Sequence, residues 1–300
     1  MIESPFFSVV IPTFNRAEFL REAIQSVLNQ TFENYEVIVV DDHSTDNTKE
    51  VAAAFKDKRI NYVPNDRGIG GAGTRNTGIF RARGEWVAFL DDDDVWLPQK
   101  LQLQFNKIKE VNDTVGLIYG GYATYDFDRK QEISVRVPEK EGWIQQELLY
   151  KNYIGTYSTV VIQSNLLKMV SGLDERFKGM QDMELYVRIA GISKIMFVKE
   201  KLAYIRNSNS DRISFNVENK LECSHLFWEK YKGQINRNPK LRHRAASRVF
   251  IYAVAQGNMI ETFKALPWTL SGLLFDFSNF VWTFRSIPSL IYNKKIKKIL

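Results

Sequence analysis

Residues 84–94 read Gly84-Glu-Trp-Val-Ala-Phe-Leu-Asp-Asp-Asp-Asp94, an apolar run that breaks abruptly into four carboxylates. Val87 to Leu90 have the continuous hydrophobicity of a strand buried on both faces, which is the habit of parallel sheets in α/β proteins. Asp91 to Asp94 then emerge at its carboxyl end, where open α/β sheets bind their ligands. Four ionised aspartates in a row repel one another, so the arrangement asks for a cation. Strand alternation predicts Asp91 and Asp93 on one side and Asp92 and Asp94 on the other. Such an i, i+2 pair can hold Mg²⁺ or Mn²⁺ through one or two oxygens, leaving positions on the ion for water and phosphate. The plainer alternative is an acidic, solvated turn before the next helix.

Working outward, the first 125 residues alternate strand and helix signals. Phe7 to Ile11 form a buried strand stopped by Pro12, and residues 17–30 place Leu20, Ala23, Ile24 and Val27 on one helical face. Glu36 to Val40 form a second strand ending in Asp41-Asp42, with Ser44, Thr45 or Asp46 able to cap a helix to Phe55. A third strand spans Arg59 to Val63, a short helix lies near 74–83, and a further helix runs from Leu97 to about Val111. Val115 to Tyr119 read as a fifth strand. Strands separated by helices predict a mostly parallel sheet with helices on both faces. Residues 126–215 are less regular, with helices at 143–150 and 183–190 and strands at 157–162, 195–198 and 203–205. From about 216 the pattern is helical.

Three strand ends share one edge in this reading: Phe14-Asn15-Arg16, Asp41-Asp42 and the aspartate run. A pyrimidine base can stack on Phe14 while a carboxylate accepts its imide N–H and a diphosphate lies on the metal. Asp41 and Asp42 taken alone read equally well as a helix cap. Gly68-Ile-Gly-Gly-Ala-Gly73 matches G-x-G-x-x-G, but four residues separate it from the strand before it, and two strand–helix units precede it. It reads better as a loop allowing close backbone approach, with Arg75 facing phosphates. Asp182, in Met180-Gln-Asp182, is a carboxylate at a helix start; beside a metal–nucleotide site it becomes a candidate general base.

Composition is that of an ordinary globular chain, 44% hydrophobic and 25% charged. The amino terminus does not read as a secretory signal, and no apolar run reaches the length of a membrane span. The single cysteine, Cys223, excludes an internal disulfide and fits a reducing cytoplasm. The three histidines lack metal-ligand spacing. Charge is divided unevenly: residues 230–300 carry 13 Lys and Arg against 2 Asp and Glu, whereas the remainder is net acidic.

Together the segments Ser8-Val-Val-Ile-Pro-Thr-Phe-Asn15, Val37-Ile-Val-Val-Asp-Asp-His-Ser44, Gly73-Thr-Arg-Asn-Thr-Gly78, Gly84 to Asp94, Gly172-Leu-Asp-Glu-Arg-Phe177 and Gln181-Asp182 resemble the family-2 glycosyltransferases of the GT-A fold. Each is short; their order and spacing are what is specific. The resemblance covers residues 6–215, about 70% of the chain. It implies a Rossmann-like mixed α/β sheet sandwiched by helices, with residues 1–125 as the nucleotide-sugar-binding half and 126–215 as the acceptor half. It further implies inverting transfer from a nucleoside diphosphate sugar, usually UDP-linked, with Mg²⁺ or Mn²⁺. By position, Phe14 and Asp42 would contact the base, with Pro12 among the donor-binding residues. Arg75 would stand on the donor side, Asp91 and Asp92 near the ribose, and Asp93, with Asp91, on the metal. Asp182 takes the place of the base. The pair before it, often Glu-Asp, is Gln181-Asp182 here. A family histidine near the diphosphate is missing from Tyr204-Ile-Arg-Asn-Ser, so Arg206 or Arg212 would serve instead.

Residues 216–300 form the expected basic helical extension. Its aromatic and aliphatic residues from 268 to 292, followed by Lys294 to Lys298, suit an anionic membrane surface. The alternative is a helical cap packed on the catalytic domain or on a second subunit, which makes a homodimer. The sequence reading is therefore a glycosyltransferase at the inner face of the cytoplasmic membrane, building surface polysaccharide on a glycan or lipid-linked acceptor, with no nucleic-acid partner. The rivals are a nucleotidyltransferase, a dinucleotide-dependent oxidoreductase using Gly68 to Gly73, and a non-catalytic scaffold.

Overall fold

The computed structural model describes residues 4–207 and 217–297, with the side chains of residues 218 and 289–297 outside the description. The chain divides into two compact units. The first comprises Met1–Leu148, Asn152–Arg176 and Gln181–Ser208; the second comprises Leu149–Lys151, Phe177–Met180 and Asn209–Leu300.

The first unit opens with β1 (Phe7–Thr13), α1 (Ala17–Leu28), β2 (Tyr35–Asp41), α2 (Thr48–Ala54), β3 (Ile60–Pro64), α3 (Gly71–Arg81) and β4 (Trp86–Phe89). These strands lie parallel in the order β3-β2-β1-β4, with Val9 opposite both Val37 and Ala88. Every residue of β1 and β2 is buried, which explains the apolar runs Val9–Ile11 and Val37–Val40; the buried Ser8 donates to Glu36 at 2.7 Å. Pro12 does not stop β1 but sits within it opposite Val40. The last pairing with β4 is at Val10, so the missing N–H of Pro12 costs no ladder bond.

Then follow β5 (Val95–Trp96), α4 (Lys100–Glu110), β6 (Val115–Asp126), β7 (Gln131–Arg136), α5 (Gln145–Tyr150), β8 (Val161–Gln163), α6 (Ser164–Met169), α7 (Gln181–Ala190) and β9 (Lys194–Arg206). The sheet continues from β4 through β8, β6 and β9 to β5, and β7 pairs with β6. Beyond β4 it is mixed: β8 is antiparallel to both β4 and β6, whereas β9 runs parallel to β6. The two short strands expected at 195–198 and 203–205 are one, because the long β6 pairs along its length.

The second unit is helical: α8 (Val217–Lys230), α9 (Lys232–Arg237), α10 (Pro239–Gln256), α11 (Met259–Leu270), α12 (Gly272–Phe275) and α13 (Phe277–Lys297). Asn238 caps α10 by accepting from Lys240 N at 3.0 Å, with Pro239 at the first helical position. Gly257, at φ 76°, turns the chain out of α10 in the left-handed region. Pro267 and Pro288 lie inside α11 and α13 and do not end them.

Candidate active site at the carboxyl edge of the parallel strands

The aspartates leave strand geometry before they begin. β4 ends at Phe89, and Asp94 N donates to Asp91 O at 3.0 Å, closing a turn with Asp92 and Asp93 at its centre. Alternation therefore does not sort them as expected. Asp92 and Asp93 share one partner, Arg16, whose guanidinium lies 3.2 Å from a carboxylate oxygen of each. Asp91 instead pairs with Arg75. Asp94 points inward, accepting from Ser158 Oγ at 2.5 Å and Arg206 N at 3.2 Å. Burial lifts its carboxyl well above the ordinary range, and Asp93 and Asp91 add to the effect. Burial likewise raises Asp92 to about 6, against the pull of Arg16.

The neighbouring strand end is built by the second aspartate pair. Asp41 accepts from Ser44 Oγ at 2.5 Å and Tyr62 OH at 2.6 Å, tying β2 to β3. Asp42 accepts from Asn65 Nδ2 at 2.6 Å and Gly70 N at 2.7 Å. Neither is a helix cap; Asp46 instead accepts from the first N–H of α1, Ala17, at 3.1 Å. The glycine loop is thus held by acids. Gly68 N donates to Glu175 at 3.3 Å, as Gly70 N does to Asp42, so these N–H groups are not a cradle for a dinucleotide phosphate. Gly70 has φ 105°, and a side chain at Gly73 would collide with the Gly68 carbonyl. Phe14 is 53% exposed at this edge, its loop strapped down by Asn15 N donating to Ser44 Oγ at 2.8 Å. Pro12, by contrast, is buried and offers a donor no exposed ring.

Behind Arg75 lies a buried polar cluster. Asp182, in the first turn of α7, accepts from Asn152 Nδ2 at 2.8 Å. Burial raises its carboxyl to about 6; Asp91 adds to the rise and Arg75 opposes it. The Arg75 guanidinium stacks 4.5 Å from the centre of the Tyr157 ring, which meets Tyr186 edge-on at 5.8 Å. Arg75 Nε, Tyr157 OH and Tyr186 OH are buried without hydrogen-bond partners among the described residues. Three such donors around two carboxylates are groups that water or a polar ligand can satisfy.

The structure thus brings Arg75, Asp91 and Asp182 together, with Asp92 and Asp93 on the adjoining turn and Phe14 and Asp42 along the same strand edge. It does not free Arg206 for a diphosphate. That guanidinium pairs with Glu22, donates to the Asp93 carbonyl at 3.1 Å and lies 3.8 Å over the Phe127 ring, supporting the acidic turn. Arg212 lies outside the described residues. Sequence reasoning did not assign Arg16, Asn152, Tyr157 or Tyr186. Arg16 stood next to Phe14 on an edge already recognised, which was the one available signal; the tyrosines are indistinguishable from core by pattern.

Among the described residues, no three carboxylate, imidazole or thiol side chains converge as a preformed metal cage. The donor set still fits a hard divalent ion. Asp91 and Asp93 are the more accessible of the four aspartates, with side chains 28% and 15% exposed, and both present only oxygen. One or two carboxylates completed by substrate phosphates is how Mg²⁺ is usually held.

The model of glycosyl transferase family 2 matches residues 8–168. An uncharacterized glycosyltransferase of Methanocaldococcus jannaschii is 31% identical over 70% of this chain and 73% of its own. The Escherichia coli enzyme WfgD, a UDP-Glc:alpha-D-GlcNAc-diphosphoundecaprenol beta-1,3-glucosyltransferase, is 39% identical over 38% of this chain and 45% of its own. Among solved structures, S. aureus TarS 1–349 in complex with UDP-GlcNAc superposes with a TM-score of 0.69 at 19% identity, covering 88% of this chain and 81% of TarS. The mannosyltransferase PcManGT from Pyrobaculum calidifontis, in complex with GDP-Man and Mn²⁺, gives 0.56 at 18% identity over 99% and 88%. At these identities the structural likeness shows a shared GT-A fold. The chain is a glycosyltransferase, and it belongs to glycosyl transferase family 2. The nucleotidyltransferase, oxidoreductase and scaffold readings fall with that finding.

Proposed function

We propose that this enzyme transfers a sugar, with inversion, from a UDP-sugar to a hydroxyl of a glycan or lipid-linked oligosaccharide during surface polysaccharide assembly. The observation that carries the proposal is Asp182: a buried carboxyl raised to about 6 beside the Arg75–Asp91 pair. At neutral pH it is ionised yet basic enough to take a proton. Asp182 removes the proton of the acceptor hydroxyl, whose oxygen bonds to the anomeric carbon as the bond to the diphosphate breaks. Attack comes from the face opposite the leaving group, and a nucleoside diphosphate departs. Phe14 stacks on the base and Asp42 holds the glycine loop against it. Arg75 bears on the donor's phosphates and sugar, with Asp91 and Asp92 near the ribose. Asp93, with Asp91, would hold Mg²⁺ or Mn²⁺, which when bound neutralises charge building on the diphosphate. UDP-GlcNAc in TarS, GDP-Man with Mn²⁺ in PcManGT and the lipid diphosphate in the name of WfgD support this donor, metal and acceptor class. No helix among the described residues is long and apolar enough to cross a membrane, and attachment is proposed to be peripheral, on the cytoplasmic face.

The test is Asp182→Asn, which keeps shape and removes basicity. Transfer is expected to fall about 10²–10⁴-fold with nucleotide affinity retained. Undiminished transfer overturns the assignment, and a product that keeps the donor's anomeric configuration overturns inversion.

A further inference from the structure

A helix packed in water turns its apolar stripe inward and its polar face outward. The segment from Met259 to Phe284 does the reverse. Its buried positions are Ala265, Thr269, Gly272, Asn279 and Thr283, all small or polar. Gly272 and Asn279 meet a polar face of α10, whereas Ala265 packs on its apolar side with Val249, Phe250 and Ala253. Asn279 Nδ2 lies 2.9 Å from His243 Nε2 and 3.4 Å from Ser247 Oγ, Arg244 pairs with Asn279, and His243 Nδ1 approaches Trp268 O at 3.3 Å. A side chain at Gly272 would strike the His243 ring. Outward point Phe263, Leu273, Leu274, Phe277 and Trp282, with Leu274 83% exposed. Among the described residues, 11 of the 21 exposed large hydrophobic side chains fall in this one segment, so the pattern is concentrated rather than scattered.

Small and polar residues between helices, with apolar residues outside, is the packing of helices solvated by lipid. With no helix here able to cross a bilayer, the segment fits a helix pair lying in one interface. We infer that the outer face of α11, α12 and the first half of α13 docks into an anionic lipid monolayer. Charge selects this occupant over a second copy. The segment itself carries Lys264 against Glu261 and Asp276, but the stretches on either side, 230–258 and 285–300, hold 12 Lys and Arg and no Asp or Glu; anionic headgroups complement those flanks, whereas a second copy would set them against like charge. Two arginines of α10 stack on aromatic rings of this segment, Arg242 4.3 Å over the Trp268 ring and Arg244 4.5 Å over that of Trp282. The inference rests on the proposed membrane-side function and narrows it to one surface.

The full chain is tested by flotation with vesicles of phosphatidylcholine alone or mixed with phosphatidylglycerol, against the double variant L274E/F277E. Both sites are exposed, so folding is preserved. The native protein is expected to float with the anionic vesicles and poorly with the neutral ones. The variant is expected to lose about tenfold or more of its partition. Equal flotation of the variant, or no flotation of the native protein, overturns the inference. So does a native dimer that the variant converts to monomer, which assigns the face to a second copy. Thermal stabilisation by UDP-sugar, measured on the same samples, separates the two claims. Stabilisation without flotation overturns this surface alone; flotation without stabilisation overturns the donor alone.

Discussion

The parallel strands of the first unit and the α11–α13 segment of the second follow opposite rules. In β1, β2 and β4 the buried side chains are mostly apolar, and aspartates gather after the strand ends where ligands reach them. Between Met259 and Phe284 the fully buried side chains are small or polar, and many of the large apolar ones face outward. The same physics yields both, since each face is matched to what surrounds it. The difference teaches that hydrophobic content alone does not locate a core; the partner of each buried position must be identified.

The contrast can be broken by substitution. Phe89→Ala empties a fully buried site and is expected to cost about 3–5 kcal/mol in denaturant unfolding. A loss below that range would mean that the strand core is less tightly packed than described. Asn279→Leu adds apolar volume where a water-solvated helix would welcome it. Here it removes one partner from each of His243 and Arg244, and a loss of about 1–3 kcal/mol is expected, whereas a gain would remove the inverted-packing argument.

The pH profile of kcat/KM reports the other region. With Asp182 raised to about 6, activity is expected to fall by about tenfold per unit once pH drops below that value. The limb should vanish in whatever activity Asp182→Asn retains. Stability runs the other way. Asp182 and Asp92 both titrate near 6 in the fold against about 3.9 unfolded. Their contribution is therefore fully present below about 4 and lost as pH rises through about 6. The smallest expected effect is that of Leu274→Ser, which should leave unfolding free energy within about 0.5 kcal/mol while weakening vesicle binding.

Legibility followed the same division. β1, β2 and β4 were readable because continuous apolar runs bounded by Pro, Asp and Gly have few other interpretations. β5 was not, because two residues make a strand only through pairing with distant β9, Val95 opposite Tyr204. β7 escaped although Ile133 and Val135 alternate with polar residues, because the run is short and almost all of its residues are exposed. The acidic turn was located correctly, but its internal geometry was not. Alternation was carried past Leu90, where the strand had already ended, and so Arg16's joint hold on Asp92 and Asp93 was missed. Asp182 taken alone is an ordinary carboxylate at a helix start; it was singled out by the metal–nucleotide site read elsewhere in the chain and by the resemblance. Tyr157 and Tyr186 had no signal at all: what distinguishes them is the absence, among the described residues, of a partner for a buried hydroxyl, a property of three dimensions. In the second unit the aromatic richness was visible, but which residues faced outward depended on the polar face of α10.

The central claim is that the acidic turn after β4 and the neighbouring strand ends grip a nucleotide sugar through a divalent cation. Thermal unfolding with UDP-, GDP- and dTDP-sugars, each with Mn²⁺ or with EDTA, addresses it directly. A donor at about a hundredfold excess over Kd adds about 2.7 kcal/mol. The account predicts that a UDP-sugar raises the unfolding temperature only with Mn²⁺, and that Asp93→Asn abolishes the shift. Equal stabilisation in EDTA, or a shift undiminished in Asp93→Asn, would contradict it.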